Sequence, residues 1–145
     1  MPKEVIKINV QPHSEEAELA VLGSMLSSKE AVSRAIGTLK PEDFYKEAHL
    51  KIFSVMQELF DNSEPIDTLS VSELLKKKNL LEAVGGTYFL TGLVESVPTS
   101  AHVEKYSKIV REKAILRNLI ELSHKIAKIS YDDDDDINNI LDSVE

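Results

Sequence analysis

Carboxylates and histidines would have to supply any side-chain chemistry in this 145-residue chain, because it contains no cysteine. The densest acidic group is the run of five aspartates from Asp132 to Asp136. A calcium loop of the EF-hand type needs acids at alternating positions, a central glycine and a closing glutamate, and this run lacks that pattern. Weak metal binding and mimicry of nucleic acid are the functional alternatives. A solvated turn is favoured, because like charges repel within a helix and Asp136 can cap a following one.

The remaining residue types predict no catalytic centre and no cofactor or metal site. The histidines at 13, 49, 102 and 124 contain no pair three or four residues apart, as a metal site on one helix would favour. His49 adjoins an apolar helical stripe, so a structural role is preferred to a ligand role. The chain has no Walker A motif, nucleophile elbow or His-Glu-x-x-His, and it is predicted to catalyse nothing by itself.

Charge and composition limit the kinds of partner that this chain can bind. A formal net charge of −8 argues against a broad grip on phosphates, although residues 101–130 are locally basic. Lys105, Lys108 and Arg111 form a weak candidate nucleic-acid contact, which Lys113 and Arg117 would extend. Pairing of these bases with acids inside the protein is the preferred interpretation. No apolar run approaches the roughly 20 residues of a membrane helix, and no signal peptide is recognisable, so we expect a cytoplasmic protein without a membrane partner.

The elements that position these residues are predicted to be helices. Residues 1–13 form an extended arm that ends in a Gln-Pro pair, and Ser14 caps a first helix with acids in its first turn. Ser27 and Glu30 have the spacing of a capping box for a second helix.

A longer core helix is predicted from Pro41, with the apolar stripe Ile52, Phe53, Met56, Leu59 and Phe60. Asp67 or Thr68 caps the next helix, and the glycines at 85 and 86 make a tight turn into another.

The longest predicted helix, 101–130, is capped by Ser100 and carries an apolar stripe at alternating spacings of four and three. An acidic turn at 131–136 separates it from a short second helix at 137–145. We expect an all-α fold with a compact helical head, 14–98, and a long-helix hairpin, 99–145. The candidate interface residues on this hairpin are Ile115, Leu119, Leu122, Ile126, Ile129, Ile137, Ile140, Leu141 and Val144.

Five blocks over roughly residues 12–125 resemble the N-terminal domain of the bacterial replicative DNA helicase, the DnaB family. The order and the spacing of the blocks are typical of this family. The blocks are EEAELAVLGSML (15–26), LKPEDFYKEAHLKIF (39–53), EPID (64–67), LLEAVGGTYFLTGL (80–93) and VPTSAHVEKYSKIVREKAILRNLI (97–120).

The resemblance implies a non-catalytic collar domain that associates with copies of itself, as a dimer, a trimer of dimers or a hexameric ring, and docks the C-terminal domain of primase. It further implies a motor domain beyond Glu145 that binds ATP and Mg²⁺ and moves 5′ to 3′ along single-stranded DNA. The alternatives are the helicase-binding domain of primase and a helical module that binds single-stranded nucleic acid.

Overall fold

The structure, a computed structural model, describes residues 10–97, 99–132 and 136–144. These residues form helices and turns and contain no strand, so the prediction of an all-α fold is confirmed. The helices are α1 (Glu15–Ser27), α2 (Lys29–Thr38), α3 (Glu47–Asp61), α4 (Thr68–Lys77), α5 (Gly86–Ser96), α6 (Val103–Tyr131) and α7 (Ile137–Val144). Short 3-10 turns at Pro41–Asp43 and Ser100–His102 precede α3 and α6.

Side-chain caps define where α1 and α4 begin. Ser14 Oγ accepts from the Ala17 amide at 3.1 Å and Asp67 Oδ1 accepts from the Ser70 amide at 2.8 Å, as predicted. The predicted cap at Ser27 is wrong. Its hydroxyl instead donates to the Gly23 carbonyl inside α1, and extended Ser28 caps α2.

Two predicted helix starts are also wrong, because a 3-10 turn comes first in each case. Asp43 Oδ2 accepts from the Lys40 amide at 2.9 Å and closes the turn that begins at Pro41, and α3 starts only at Glu47. Before α6, the extended residue Thr99 accepts from the Ala101 amide at 3.2 Å, so Thr99 rather than Ser100 is the cap.

The ends of α3 and α4 share one hydrogen-bond pattern. Ser63 has φ 57° and Asn79 has φ 61°, and the amides of these residues and of the ones that follow bond back to the last helical turn. This is the Schellman arrangement, in which a left-handed residue ends the helix. Gly85, with φ 113°, makes the predicted tight turn before α5.

The core lies between α1, α2, α3, α4, α5 and the first turns of α6. Phe53, Leu22, Met25 and Leu90 are among its fully buried side chains. Phe60 was predicted to join them but is 40% exposed. It lies in the last turn of α3, where the chain turns away at Ser63, and it lines a surface groove there.

The contacts divide the chain into two units. One is His13–Ala114, and the other contains residues 10–12 together with the chain from Ile115, so the division falls inside α6. The predicted limits of head and hairpin remain a prediction, because contact grouping within one chain does not test independent folding. In the second unit, Arg117 Nη1 donates to the Pro12 carbonyl at 2.8 Å.

The acidic segment lies between α6 and α7. Asp132 and Asp136 are outside the helices, and the Asp132 amide donates to the Ile129 carbonyl at 3.1 Å. Asp133, Asp134 and Asp135 lie outside the described residues, and so does most of the predicted arm. Within the described part of the chain, no helix is long and apolar enough to cross a membrane.

Candidate functional site

The apolar side chains predicted to form an interface lie along the second half of α6 and along α7. We call this set the apolar stripe: Ile115, Leu119, Leu122, Ile126 and Ile129 of α6 with Ile137, Ile140, Leu141 and Val144 of α7. Both segments belong to the same unit. No described residue from Ile115 onward is buried, so the stripe is not part of the core.

Along the α6 part of the stripe, the side chains nearer the N-terminus are more exposed to solvent than those nearer the C-terminus. Leu119 is 55% exposed and Ile115 is 42% exposed, whereas Leu122, Ile126 and Ile129 are half-buried. The eight residues of α7 span only about 12 Å, the length of about two turns of α6. This helix is too short to cover the whole stripe of α6, and Ile115 and Leu119 are exposed.

The α7 part of the stripe is also partly open. Ile137 is 67% exposed and Leu141 is 58% exposed, while Ile140 and Val144 are half-buried. Two further large side chains of α6 are exposed although the spacing of four and three omits them: Leu116, at 44%, and Tyr131, at 89%. Their apolar character was visible in the sequence, but they fall off the heptad positions.

The basic residues suggested as nucleic-acid contacts are not equally available. Arg111 Nη1 lies 3.2 Å from Asp43 Oδ1, a carboxylate that is almost fully buried. Arg117 is held by the Pro12 carbonyl. Lys105 and Lys108 are exposed and form no ion pair with any residue that the structure describes. The pairing expected for this set is therefore observed for Arg111.

A buried polar cluster joins α1 to the start of α3. Glu18 is 1% exposed and His49 is 3% exposed, and His49 Nδ1 lies 2.7 Å from Glu18 Oε1. The same carboxylate accepts from the amides of Tyr45, at 2.7 Å, and Lys46, at 3.4 Å. The predicted structural role of His49 is confirmed.

The electrostatics of this cluster favour the charged carboxylate. Burial acts to raise the pKa of Glu18, but the hydrogen bonds from His49 and from the two backbone amides outweigh it. The pKa of Glu18 therefore lies below its ordinary value of 4.5. Among the described residues, no group of three or more His, Asp or Glu side chains is placed to hold a metal ion.

The fold thus places this chain in the class of all-helical domains, and its longest helix carries an apolar stripe that is partly exposed to solvent. A family model described as the DnaB-like helicase N terminal domain matches residues 10–112, more than half of the chain. This chain therefore belongs to the family of DnaB-like helicase N terminal domains. The family match favours the helicase over the alternative of the helicase-binding domain of primase.

Individual relatives agree with the family match. The replicative DNA helicase DnaC of Bacillus subtilis (strain 168) is 40% identical over 142 residues, which cover 98% of this chain and 31% of that protein. The crystal structure of the N-terminal domain of DnaB helicase from Mycobacterium tuberculosis is 34% identical, with a TM-score of 0.88, and covers 93% of this chain and 95% of that one. A structure of a DnaB-like replicative helicase and its interactions with primase is 28% identical, with a TM-score of 0.76 over 91% of this chain and 32% of that one. The chain thus spans about a third of the length of the curated relatives it matches.

Proposed function

We propose that this chain is the non-catalytic collar domain of a bacterial, cytoplasmic replicative helicase that uses ATP and Mg²⁺ to move 5′ to 3′ along one DNA strand. The domain associates with other copies of itself, as a dimer or within a hexameric ring, and docks the C-terminal domain of primase. Because the chain lacks a Walker A motif, nucleotide and Mg²⁺ would be held by another part of the full-length protein.

The observation that carries self-association is the open part of the apolar stripe. Leu119, Ile137 and Leu141 are each more than half exposed. Clusters of large apolar side chains on a protein surface mark interaction sites, because their burial is favourable by roughly 25 cal/mol per Å². The alternating spacing of four and three is the pattern by which helices pack against helices, so a second copy of the same helices is a suitable partner.

Primase docking is supported by a relative. The DnaB-like replicative helicase that shares 28% identity with this chain is described with its interactions with primase. This supports a primase-docking role for the present domain. The same relative gives no reason to prefer the single-strand-binding alternative, and the pairing of Arg111 with Asp43 weakens it.

Sedimentation equilibrium of the chain and of Leu119→Asp tests the proposed self-association. The parent chain should associate at tens of micromolar, and the variant should associate at least tenfold more weakly, about 1.4 kcal/mol, because a carboxylate would enter an apolar contact. Leu69→Asp is the matched control, since Leu69 is a 69% exposed leucine of α4 outside the stripe. The double change Leu122→Asp with Ile126→Asp should weaken association further.

Two results would contradict this proposal. One is a parent chain that stays monomeric over the whole concentration range. The other is a Leu69→Asp variant that weakens association as much as Leu119→Asp does. Circular dichroism of each variant separates loss of association from loss of helix. Isothermal titration with the C-terminal domain of primase tests docking separately, and the absence of heat at micromolar concentrations would remove that part alone.

A further inference from the structure

A cleft of about 310 Å³ lies where α1, the end of α5 and the first turns of α6 meet. All of its lining residues belong to the His13–Ala114 unit, and none belongs to the apolar stripe. The lining consists of Glu16, Leu19, Ala20, Ser96, Val97 and Tyr106. The cleft is therefore a feature separate from the proposed self-association surface.

One side of the cleft is electronegative. It contains the C-terminal end of α5, where the Ser96 hydroxyl donates to the Leu93 carbonyl at 3.2 Å but, among the described residues, no backbone amide caps the helix and no basic side chain lies in the last turn. Unpaired carbonyls at a helix C-terminus carry partial negative charge and attract cations. Glu16 adds a full negative charge, and it forms no ion pair with a residue of the described ranges.

The other part of the lining is apolar and half-buried. Leu19, Ala20 and Val97 provide aliphatic surface, and Tyr106 provides a ring. Such a surface suits the methylene stem of a long cationic side chain, whose charged end lies outside the apolar region. An arginine fits better than a lysine, because its planar guanidinium stacks on aromatic rings and offers several donors to carbonyls and a carboxylate.

We propose that this cleft binds an arginine side chain presented by a partner protein. The guanidinium donates to the Glu16 carboxylate and to the last carbonyls of α5, while the stem contacts Leu19, Val97 and Tyr106. The net charge of −8 favours a basic partner segment in general. The cleft determines which residue of that segment is held.

The arginines within these 145 residues are unsuited to be the occupant. The sequence contains three, Arg34, Arg111 and Arg117. Arg34 lies 3.3 Å from Glu30 and 3.1 Å from Glu104, Arg111 pairs with Asp43, and Arg117 donates to Pro12. Each is already engaged inside its own chain, so a second copy would have to break an internal contact to supply one.

Nuclear magnetic resonance titration of the ¹⁵N-labelled chain tests the proposal with N-acetyl-arginine-methylamide as the probe. The amides of Leu19, Ala20, Ser96 and Val97 should shift together and saturate. The citrulline analogue, which keeps the stem but has no charge, should bind at least fivefold more weakly. Glu16→Gln should weaken the arginine probe at least threefold, whereas Glu121→Gln, an equal charge change on exposed α6, should leave its affinity unchanged.

Several outcomes would overturn the proposal. Chemical shift changes spread over the whole acidic surface would mean that the probe is attracted only by the general negative charge of the protein. An equal loss of probe affinity in Glu16→Gln and Glu121→Gln would mean the same. Unchanged affinity in Ala20→Leu, which enlarges a lining side chain, would place the probe elsewhere. Shifts of the same amides on raising the protein concentration without probe would identify a second copy as the occupant. None of these results bears on the apolar stripe, so failure here and failure of self-association are distinguishable.

Discussion

Glu18 supplies from α1 a cap that α3 lacks in its own sequence. The N-cap position of α3 is Lys46, whose side chain makes no cap hydrogen bond. The Glu18 carboxylate instead accepts from the amides of Tyr45 and Lys46 and from the His49 ring. A buried charge is tolerated when it is paired and hydrogen-bonded, and this one fixes the start of α3 against α1.

Glu18→Gln should lower the free energy of unfolding by about 1–3 kcal/mol, because the neutral amide is a weaker acceptor and leaves buried donors poorly satisfied. Urea denaturation followed by circular dichroism measures this loss. Glu73→Gln changes an exposed glutamate of α4 and should have an effect within about 0.5 kcal/mol. Equal stability of the Glu18 variant and the parent would show that the cluster does not stabilise the fold.

The same residue predicts a pH dependence. The pKa of Glu18 is lower in the folded than in the unfolded chain, so its contribution is complete above the ordinary value of 4.5. It is lost as the pH falls through the lowered folded value. Between pH 5 and the acid limit of folding, the parent should lose stability more steeply than Glu18→Gln. Parallel curves would contradict the inferred role of the carboxylate.

At the scale of elements, the contact between α1 and α5 depends on a glycine. A Cβ added at Gly23 would overlap Val97 Cγ2 and lie 2.5 Å from the Leu93 carbonyl oxygen. That oxygen is backbone and cannot rotate away. The two helices can approach this closely only because position 23 has no side chain.

Gly23→Ala should therefore destabilise the protein by about 1–3 kcal/mol, the usual cost of overpacking a well-packed contact. Gly92→Ala is the control, since a Cβ there meets nothing within 4 Å and Gly92 lies inside α5. It should stabilise by about 0.5–1 kcal/mol through helix propensity. Thermal denaturation of both variants measures the difference, and a shift of the same sign in both would refute the packing argument.

At the scale of the whole molecule, burial is unevenly distributed. Every residue of the core cluster lies in the His13–Ala114 unit, and no described residue from Ile115 onward is buried. Local stability follows buried contacts, so the second half of α6 and α7 depend on helix propensity and on whatever covers the stripe.

Hydrogen exchange should reflect this distribution. In dilute solution the amides of α7 should exchange at least tenfold faster than those of α3, and raising the concentration should slow exchange in α7 and from Ile115 to Tyr131. The amides of α3 are the internal control, because association through the stripe leaves the core unchanged. Exchange in α7 that is slow at every concentration would show that the stripe is already covered within one chain.

Local chemistry made several features predictable. The caps at Ser14 and Asp67 depend on side chains that reach amides three residues away, and the alternating spacing in α6 is visible without coordinates. The errors at Ser27 and Pro41 arose where the local sequence allows more than one hydrogen-bond arrangement. Ser27 can bond backward to Gly23 or serve as a cap, and only the packed structure selects one.

The sequence alone determined the helical class, the family resemblance and the composition of the apolar stripe, because these depend on residue types and periodicity within one segment. Only the tertiary structure decided which faces of the helices are buried against other segments. Glu18 has the pattern of a solvated first-turn acid, yet it is buried because its partners are 27 to 31 residues further along the chain. Phe60 has the pattern of a core residue, yet it is 40% exposed, because in the last turn of α3 the core covers the face that carries its neighbour Leu59. Periodicity specifies a helix face, but burial depends on the segments that pack against that face, and those lie far away in the sequence.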